Sequence, residues 1–182
     1  MAGRISLTLL KEKIGAIEGD KEVEYFRVSS LARGIPRGAI IELTGTARTE
    51  WLAHFLSENQ EAKVFWIEEK PTLLPTGLIQ RGVLDESLCI AHAPENLFKA
   101  VRVVLRSQIF SCLVLPSIFE EEIELKALQL LTEKANASTF LMAQKHSSFW
   151  PIAVQLKIEQ GHGDSPFEIT VNKYKKPGIT KT

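Results

Sequence analysis

The stretch AIIELTGTARTEWLAHFLSE, residues 39–58, decides the fold. Residues 39–44 form a mainly apolar run, with Glu42 inside it, which is typical of a strand covered on both faces. Gly45 follows as a turn residue. The next apolar residues recur at helical spacing and form one face, made of Trp51, Leu52, Phe55 and Leu56. A buried strand, a glycine turn and a helix form the arrangement that holds a nucleotide's phosphates in other proteins.

The turn itself lacks most of what phosphate binding requires. A phosphate loop needs glycines whose backbone N–H groups point inward, a Lys for the outer phosphates and a Ser or Thr for the metal. The residues at the corresponding places are Gly45, Thr46, Arg48 and Thr49, with no Lys and no second Gly. Glu50 adds a charge that repels a triphosphate. We therefore expect a degenerate site with no bound nucleotide, no metal or other cofactor and no catalytic residues.

The composition fits one globular domain. The chain has 182 residues, of which 45% are hydrophobic, and its 22 basic residues equal its 22 acidic ones, so no global field attracts nucleic acid or lipid. Cys89 and Cys112 stand in apolar runs and are expected to be buried, reduced thiols. The sequence shows no secretory signal and no apolar run of membrane-spanning length, which predicts a cytoplasmic protein.

Strands and helices are expected to alternate after residue 39. Short apolar runs predict strands at 39–44, 63–68, 87–92, 110–116 and 138–144. Helical spacing predicts a short helix near residues 7–17 and three longer ones between the strands. For the last of these, Ser117 and Glu120 suggest a capping box, and the predicted inner face is Ile123, Ala127, Leu130 and Leu131. Strict alternation at 152–158 and 167–173 predicts an antiparallel hairpin.

This order of elements resembles the RecA-like recombinase core over residues 31–178. The similarity is carried by ARGIPRGAIIELTG at 32–45, TFLMAQ at 139–144 and FEITVNKYKKPG at 167–178. It implies an α/β, RecA-like three-layer core, in which a mainly parallel sheet is flanked by helices and extended by a C-terminal antiparallel hairpin. Residues 31–182 would form this core without a functional P-loop. Residues 1–30 would be an N-terminal helix and extended segment, open to a role in oligomerisation or partner binding.

The chain departs from this family where ATP chemistry is concentrated. Pro116 stands where the family has its metal-binding Asp, and Lys70 aligns with its catalytic Glu, although Glu68 and Glu69 come just before it. Gln144 matches the family's sensor Gln. Phosphate cradle, metal ligand and water activator are all unmatched, so the resemblance implies a protein that is not an enzyme.

Two degenerate relatives set the functional expectation. The chain looks closer to the ImuA group, RecA-like accessory proteins of mutagenic DNA repair, than to SulA, the damage-induced inhibitor of the tubulin-like division GTPase. The first resemblance implies an accessory role in the SOS response and translesion synthesis, with RecA or error-prone polymerase proteins as partners. Weak DNA binding and self-association stay open, as do a SulA-like division inhibitor and a divergent ATPase that uses Arg48.

Two segments are candidate contacts for DNA or a protein partner if their side chains are exposed. The first follows the sensor position and contains Gln144, Lys145, His146, Phe149 and Trp150. The second is the basic tail with Lys173, Lys175 and Lys176. The aromatic pair could stack on bases or anchor a partner, and the lysines could contact phosphates. The alternative interpretation is the edge of the core for the aromatic pair and a solvated tail for the lysines.

Overall fold

The described part of the chain begins with a β-hairpin that the sequence patterns did not predict. A computed structural model describes residues 23–93, 95–119, 121–162 and 165–175. Strands β1 (Tyr25–Val28) and β2 (Leu31–Pro36) pair antiparallel as a separate two-stranded sheet. The predicted boundary between residues 30 and 31 therefore falls in the turn of this hairpin. The helix predicted near residues 7–17 lies outside the described residues.

Strands and helices then alternate along the described chain. The strands are β3 (Ala39–Thr44), β4 (Val64–Glu68), β5 (Leu88–His92), β6 (Cys112–Pro116), β7 (Ser138–Met142), β8 (Ile152–Gln160) and β9 (Phe167–Tyr174). The helices are α1 (Arg48–Glu58), α2 (Pro75–Gln80), α3 (Leu97–Ser107) and α4 (Glu122–Ala135). All the predicted strands are confirmed, with small differences at their ends, whereas α2 was not predicted.

These seven strands form one sheet in the order β5-β4-β6-β7-β3-β8-β9. Neighbours from β5 to β8 are parallel, and β9 pairs antiparallel with β8. Helices cover both faces of this sheet. The predicted α/β class is confirmed, and the arrangement is consistent with a RecA-like three-layer core.

Two separate apolar clusters fill the space between sheet and helices. On one face, α1, α2 and the β1–β2 hairpin pack through residues such as Phe55, Leu78 and Phe26. On the other, α3 and α4 pack through residues such as Val101 and Leu125. None of the helices in the described ranges has both the length and the apolar character needed to cross a membrane.

The predicted start and inner face of α4 are wrong. The helix begins at Glu122 after an N-cap, Glu121, that makes no side-chain capping bond. Its buried residues are Leu125, Leu128 and Thr132, while Ile123 and Leu130 are 69% and 67% exposed. The spacing of apolar residues gave the wrong face because the buried face of α4 includes a polar residue, Thr132. Thr132 is accommodated there because its hydroxyl lies 2.9 Å from that of Thr139 on β7.

The expectation for Cys89 is also wrong, because its strand lies at the edge of the sheet. The Cys89 side chain is exposed, whereas Cys112 on the interior strand β6 is fully buried. An apolar run does not show whether a strand has neighbours on both sides. Burial raises the pKa of the Cys112 thiol to about 12, so it stays protonated.

Candidate functional site

The turn at Gly45, between β3 and α1, is packed against strand β8. Gly45 has a φ of +93°, in the region that only glycine enters without strain. A Cβ atom at this position would collide with the Ile158 carbonyl oxygen. The same oxygen accepts a hydrogen bond from the Ala47 backbone N–H at 3.1 Å. The glycine thus permits the strand to approach, in the place where a phosphate loop would leave room for its ligand.

A carboxylate of the protein lies at the start of α1. One oxygen of Glu159 accepts hydrogen bonds from the Thr46 hydroxyl at 2.6 Å and the Thr46 backbone N–H at 3.1 Å. The pKa of Glu159 is lowered to about 2, mainly by the hydrogen bond from the Thr46 hydroxyl and further by the Thr46 N–H and by Lys157. Backbone N–H groups at a helix N-terminus are the groups that bind phosphates elsewhere. Here the Glu159 carboxylate already accepts a hydrogen bond from one of these groups, the Thr46 N–H.

The charged side chains of this turn are engaged within the protein. Arg48 folds back so that its guanidinium donates to the Gly45 carbonyl oxygen at 2.7 Å. Glu50 forms a bidentate ion pair with Arg81. Nε of Arg81 donates to one carboxylate oxygen, and Nη2 donates to the other at 2.8 Å. The position predicted for a substitute cation is therefore used to stabilise the turn.

Glu68, at the end of β4, organises the loop that follows it. Its carboxylate accepts the Leu73 backbone N–H at 2.9 Å and the Thr72 hydroxyl at 3.3 Å. This carboxylate stands close in sequence to the position where the resemblance expects a water activator. Its hydrogen bonds give it a local structural role.

A buried carboxylate in the middle of β3 holds the loop between β7 and β8. Glu42 is fully buried, and it accepts hydrogen bonds from the Gln155 side chain at 2.7 Å and the Ser147 backbone N–H at 3.0 Å. Its other contact is the His146 ring, with Nδ1 3.0 Å from the carboxylate. Because a buried carboxylate is tolerated only when it is hydrogen-bonded, these three groups are arranged around Glu42.

Thr44 extends this cluster into a hydroxyl–imidazole–carboxylate chain. The Thr44 hydroxyl lies 3.0 Å from Nε2 of His146, whose Nδ1 faces Glu42. Successive side chains of a strand point to opposite faces, so residues 42 and 44 share one face. The order of groups is that of a nucleophilic triad. However, Thr44 is only 4% exposed, and its hydroxyl also faces the Leu156 carbonyl. The row of Thr44, His146 and Glu42 side chains therefore fixes the loop and does not present a nucleophile.

The loop residues predicted as contacts divide into two groups. Gln144 and Lys145 are exposed, whereas His146 and Phe149 are partly buried, Phe149 against the cluster under α3 and α4. Trp150 is 41% exposed. Its ring lies under the Lys126 ammonium of α4 at 5.4 Å.

The predicted basic tail is less free than the sequence suggests. The Lys173 ammonium donates to the Phe149 carbonyl oxygen at 2.9 Å, and burial together with the nearby Lys175 lowers its pKa. Lys175 is exposed. Lys176 lies outside the described residues. The structure therefore brings Lys173 together with the loop, and its charge is used to hold that loop in place.

Sequence reasoning missed Glu42, Gln155 and Glu159. For Glu42 a signal existed, because a lone carboxylate inside a strand covered on both faces requires partners. For Glu159, no local pattern indicates that it reaches a turn so far away in the sequence. No protein-family model and no curated protein matches the chain. Function is therefore inferred from the fold and from these contacts.

Proposed function

We propose that this protein is a non-catalytic RecA-like accessory protein of the bacterial DNA-damage response. As in the ImuA group that the sequence resembles, it would act in the cytoplasm beside error-prone polymerase proteins. Its action is to bind RecA or proteins of the translesion polymerase complex through a rigid surface.

The turn at Gly45 is the observation that carries this proposal. Two of its backbone N–H groups donate to Ile158 and Glu159, and the side chain of Arg48 turns back on the turn. A nucleotide phosphate would have to displace a carboxylate and separate the turn from β8. An internal carboxylate at this turn opposes the binding of a nucleotide phosphate, which supports a binding role over ATP hydrolysis.

The outer face of α4 is the surface that best fits a protein partner. Ile123 and Leu130, seven residues apart, lie on one side of the helix and are both mostly exposed. Lys126 lies between them in the sequence and covers Trp150, which brings a third large apolar side chain to this area. Exposed aromatic and aliphatic side chains in one area are typical of protein-binding surfaces. Trp150 is also one of the contacts predicted from the sequence.

Thermal unfolding with and without Mg-ATP tests the first half of the proposal. A ligand bound with a Kd of about 10 μM raises the free energy of unfolding by about 2.7 kcal/mol at roughly 1 mM. In a chain of this size that corresponds to a shift of about 5–10 °C. We expect no shift. A shift of that size would overturn the proposal and favour a divergent ATPase.

Binding measurements with paired variants test the second half. Immobilised protein is exposed to RecA filaments on single-stranded DNA and to the polymerase-complex proteins. Leu130→Asp should weaken the binding of the partner at least tenfold. Leu74→Asp is the matched control, since Leu74 is 73% exposed and precedes α2 on the opposite face of the sheet. No binding to any of these proteins, with binding to the tubulin-like division GTPase instead, would favour the SulA-like role.

A further inference from the structure

The β1–β2 hairpin carries a basic groove that the proposed function does not use. An open groove of about 550 Å³ runs along the hairpin and is lined by Tyr25, Arg27 and Arg33 among others. Both arginines are exposed, and neither forms an ion pair with any of the described residues. None of the described residues that line the groove is an Asp or Glu. Two guanidinium groups that form no ion pair with the described residues give this lining a positive potential.

Aromatic rings lie beside these charges. The Arg33 guanidinium lies 5.3 Å from the centre of the Tyr174 ring, and Tyr25 is 37% exposed. Tyr174 is not part of the lining; burial, together with the nearby Tyr25, raises its pKa to about 12. Within the groove, the exposed Tyr25 ring and the guanidinium planes offer flat faces on which unpaired bases stack.

The groove has a rigid base. The Tyr174 hydroxyl donates to the backbone carbonyls of Arg33 and Gly34, at 3.3 and 3.0 Å, which ties β9 to the hairpin. Gly34 has a φ of +69°, and a Cβ atom there would meet the Phe26 carbonyl at 2.5 Å, so the two strands are in close contact. Beside the lining residue Ser29, the Glu58 carboxylate accepts the Ser29 backbone N–H at 2.8 Å and lies 3.4 Å from the His54 ring. The surface is thus formed before any ligand arrives.

We infer that this groove binds single-stranded nucleic acid, with Arg27 and Arg33 on the phosphates and Tyr25 stacked on a base. Unpaired arginines fit a polyanion, and the adjacent exposed ring favours one that carries unpaired bases over an acidic peptide. The groove lies on the face of the sheet opposite α4, so the inference does not depend on the proposed protein-binding surface. It also differs from the loop after Gln144, where the sequence places a DNA contact.

Fluorescence anisotropy with labelled oligothymidylate and oligouridylate of roughly 16 nucleotides tests the assignment. The double variant Arg27→Gln, Arg33→Gln should bind about 50-fold more weakly at ~50 mM salt, with a salt slope smaller by about 1.4. Tyr25→Ala should cost about tenfold.

The matched control is Arg102→Gln, Arg106→Gln on α3. It removes the same charge from two exposed arginines, one of which also lies over an aromatic ring, that of Phe98. Binding that is unchanged in this control and weakened in the groove variants supports the assignment. Equal weakening in both double variants, or no binding at low salt, would overturn it.

Two competitors complete the test. A duplex of the same length should compete less well, because its bases are already stacked. A polyglutamate that competes as well as the oligonucleotide, with no effect of Tyr25→Ala, would assign the groove to acidic protein segments and would refute the nucleic-acid assignment. Leu130→Asp on α4 should leave oligonucleotide binding unchanged, which separates failure here from failure of the proposed function.

Discussion

Replacing Glu42 by Ala should loosen the loop between β7 and β8 and destabilise the whole domain. The carboxylate is fully buried, and three donors converge on it at 2.7 to 3.0 Å, from Gln155, Ser147 and His146. The variant leaves these donors without their acceptor. The structure indicates which of them can find another partner.

His146 has a 20% exposed side chain and can be hydrated, and the Gln155 amide keeps its second bond to the Ser147 carbonyl at 2.7 Å. The Ser147 backbone N–H has no acceptor other than Glu42 among the described residues. One or two unsatisfied buried donors cost about 1–3 kcal/mol each. Relief from burying a charge offsets part of this cost. We therefore expect Glu42→Ala to lower the free energy of unfolding by about 2–4 kcal/mol.

Urea unfolding measures this change, and amide hydrogen exchange measures the loop. Exchange should accelerate at residues 144–150 more than in β3 itself. Glu168→Ala is the control, since Glu168 is an exposed strand residue and its removal should change stability by less than about 0.5 kcal/mol. Equal effects of the two variants, or a destabilised domain with unchanged exchange in the loop, would refute the role assigned to Glu42.

Three further predictions concern the Gly45 turn and the thiols. Gly45→Ala should cost at least ~3 kcal/mol in urea unfolding, because a positive φ and a backbone collision add, whereas Gly77→Ala in α2, where a Cβ makes only ordinary contacts, should be neutral or stabilising by up to about 1 kcal/mol. Because the pKa of Glu159 is lowered on folding, its contribution to stability is present above pH 4.5 and is lost as the pH falls towards 2. In acid unfolding, Glu159→Gln should therefore have a lower free energy of unfolding at pH 4.5 and above, and this free energy should depend less steeply on pH between 4.5 and 2. A thiol reagent should modify Cys89 in the folded protein and Cys112 only in denaturant; modification of both at equal rates without denaturant would contradict the burial of Cys112.

Local patterns predicted the parallel sheet well, and they failed where structure depends on distant partners. The apolar runs of β6 and of β3, in which Glu42 is the one charged residue, identified interior strands. Strands β1 and β2 were missed because they are short and carry charged, glycine or proline residues. Helix α2 was missed because Pro75 and Gly77 suggest a break, although proline is compatible with the first helical turn.

The same limit applies to the candidate site. The residues of the Gly45 turn show from the sequence alone that a phosphate loop is degenerate. What occupies the turn depends on Glu159 and Ile158, which come from a strand more than a hundred residues later. The groove on the hairpin was invisible for a similar reason, since Tyr174 reaches Arg33 only once β9 has joined the sheet. Sequence patterns identify local chemistry, and tertiary contacts decide whether it is used.

The position of β3 in the sheet has a consequence for biosynthesis. This strand leaves the ribosome before β4, β5 and β6, whereas its two neighbours in the sheet, β7 and β8, leave after them. Pairings between segments so distant in the chain form slowly, because the intervening loop must first be closed. Until β7 and β8 have been synthesised, β3 therefore presents apolar side chains and two unpaired edges. The nascent chain is prone to aggregation until residues 138–160 have emerged, and a chaperone that shields β3 should raise the yield of folded protein.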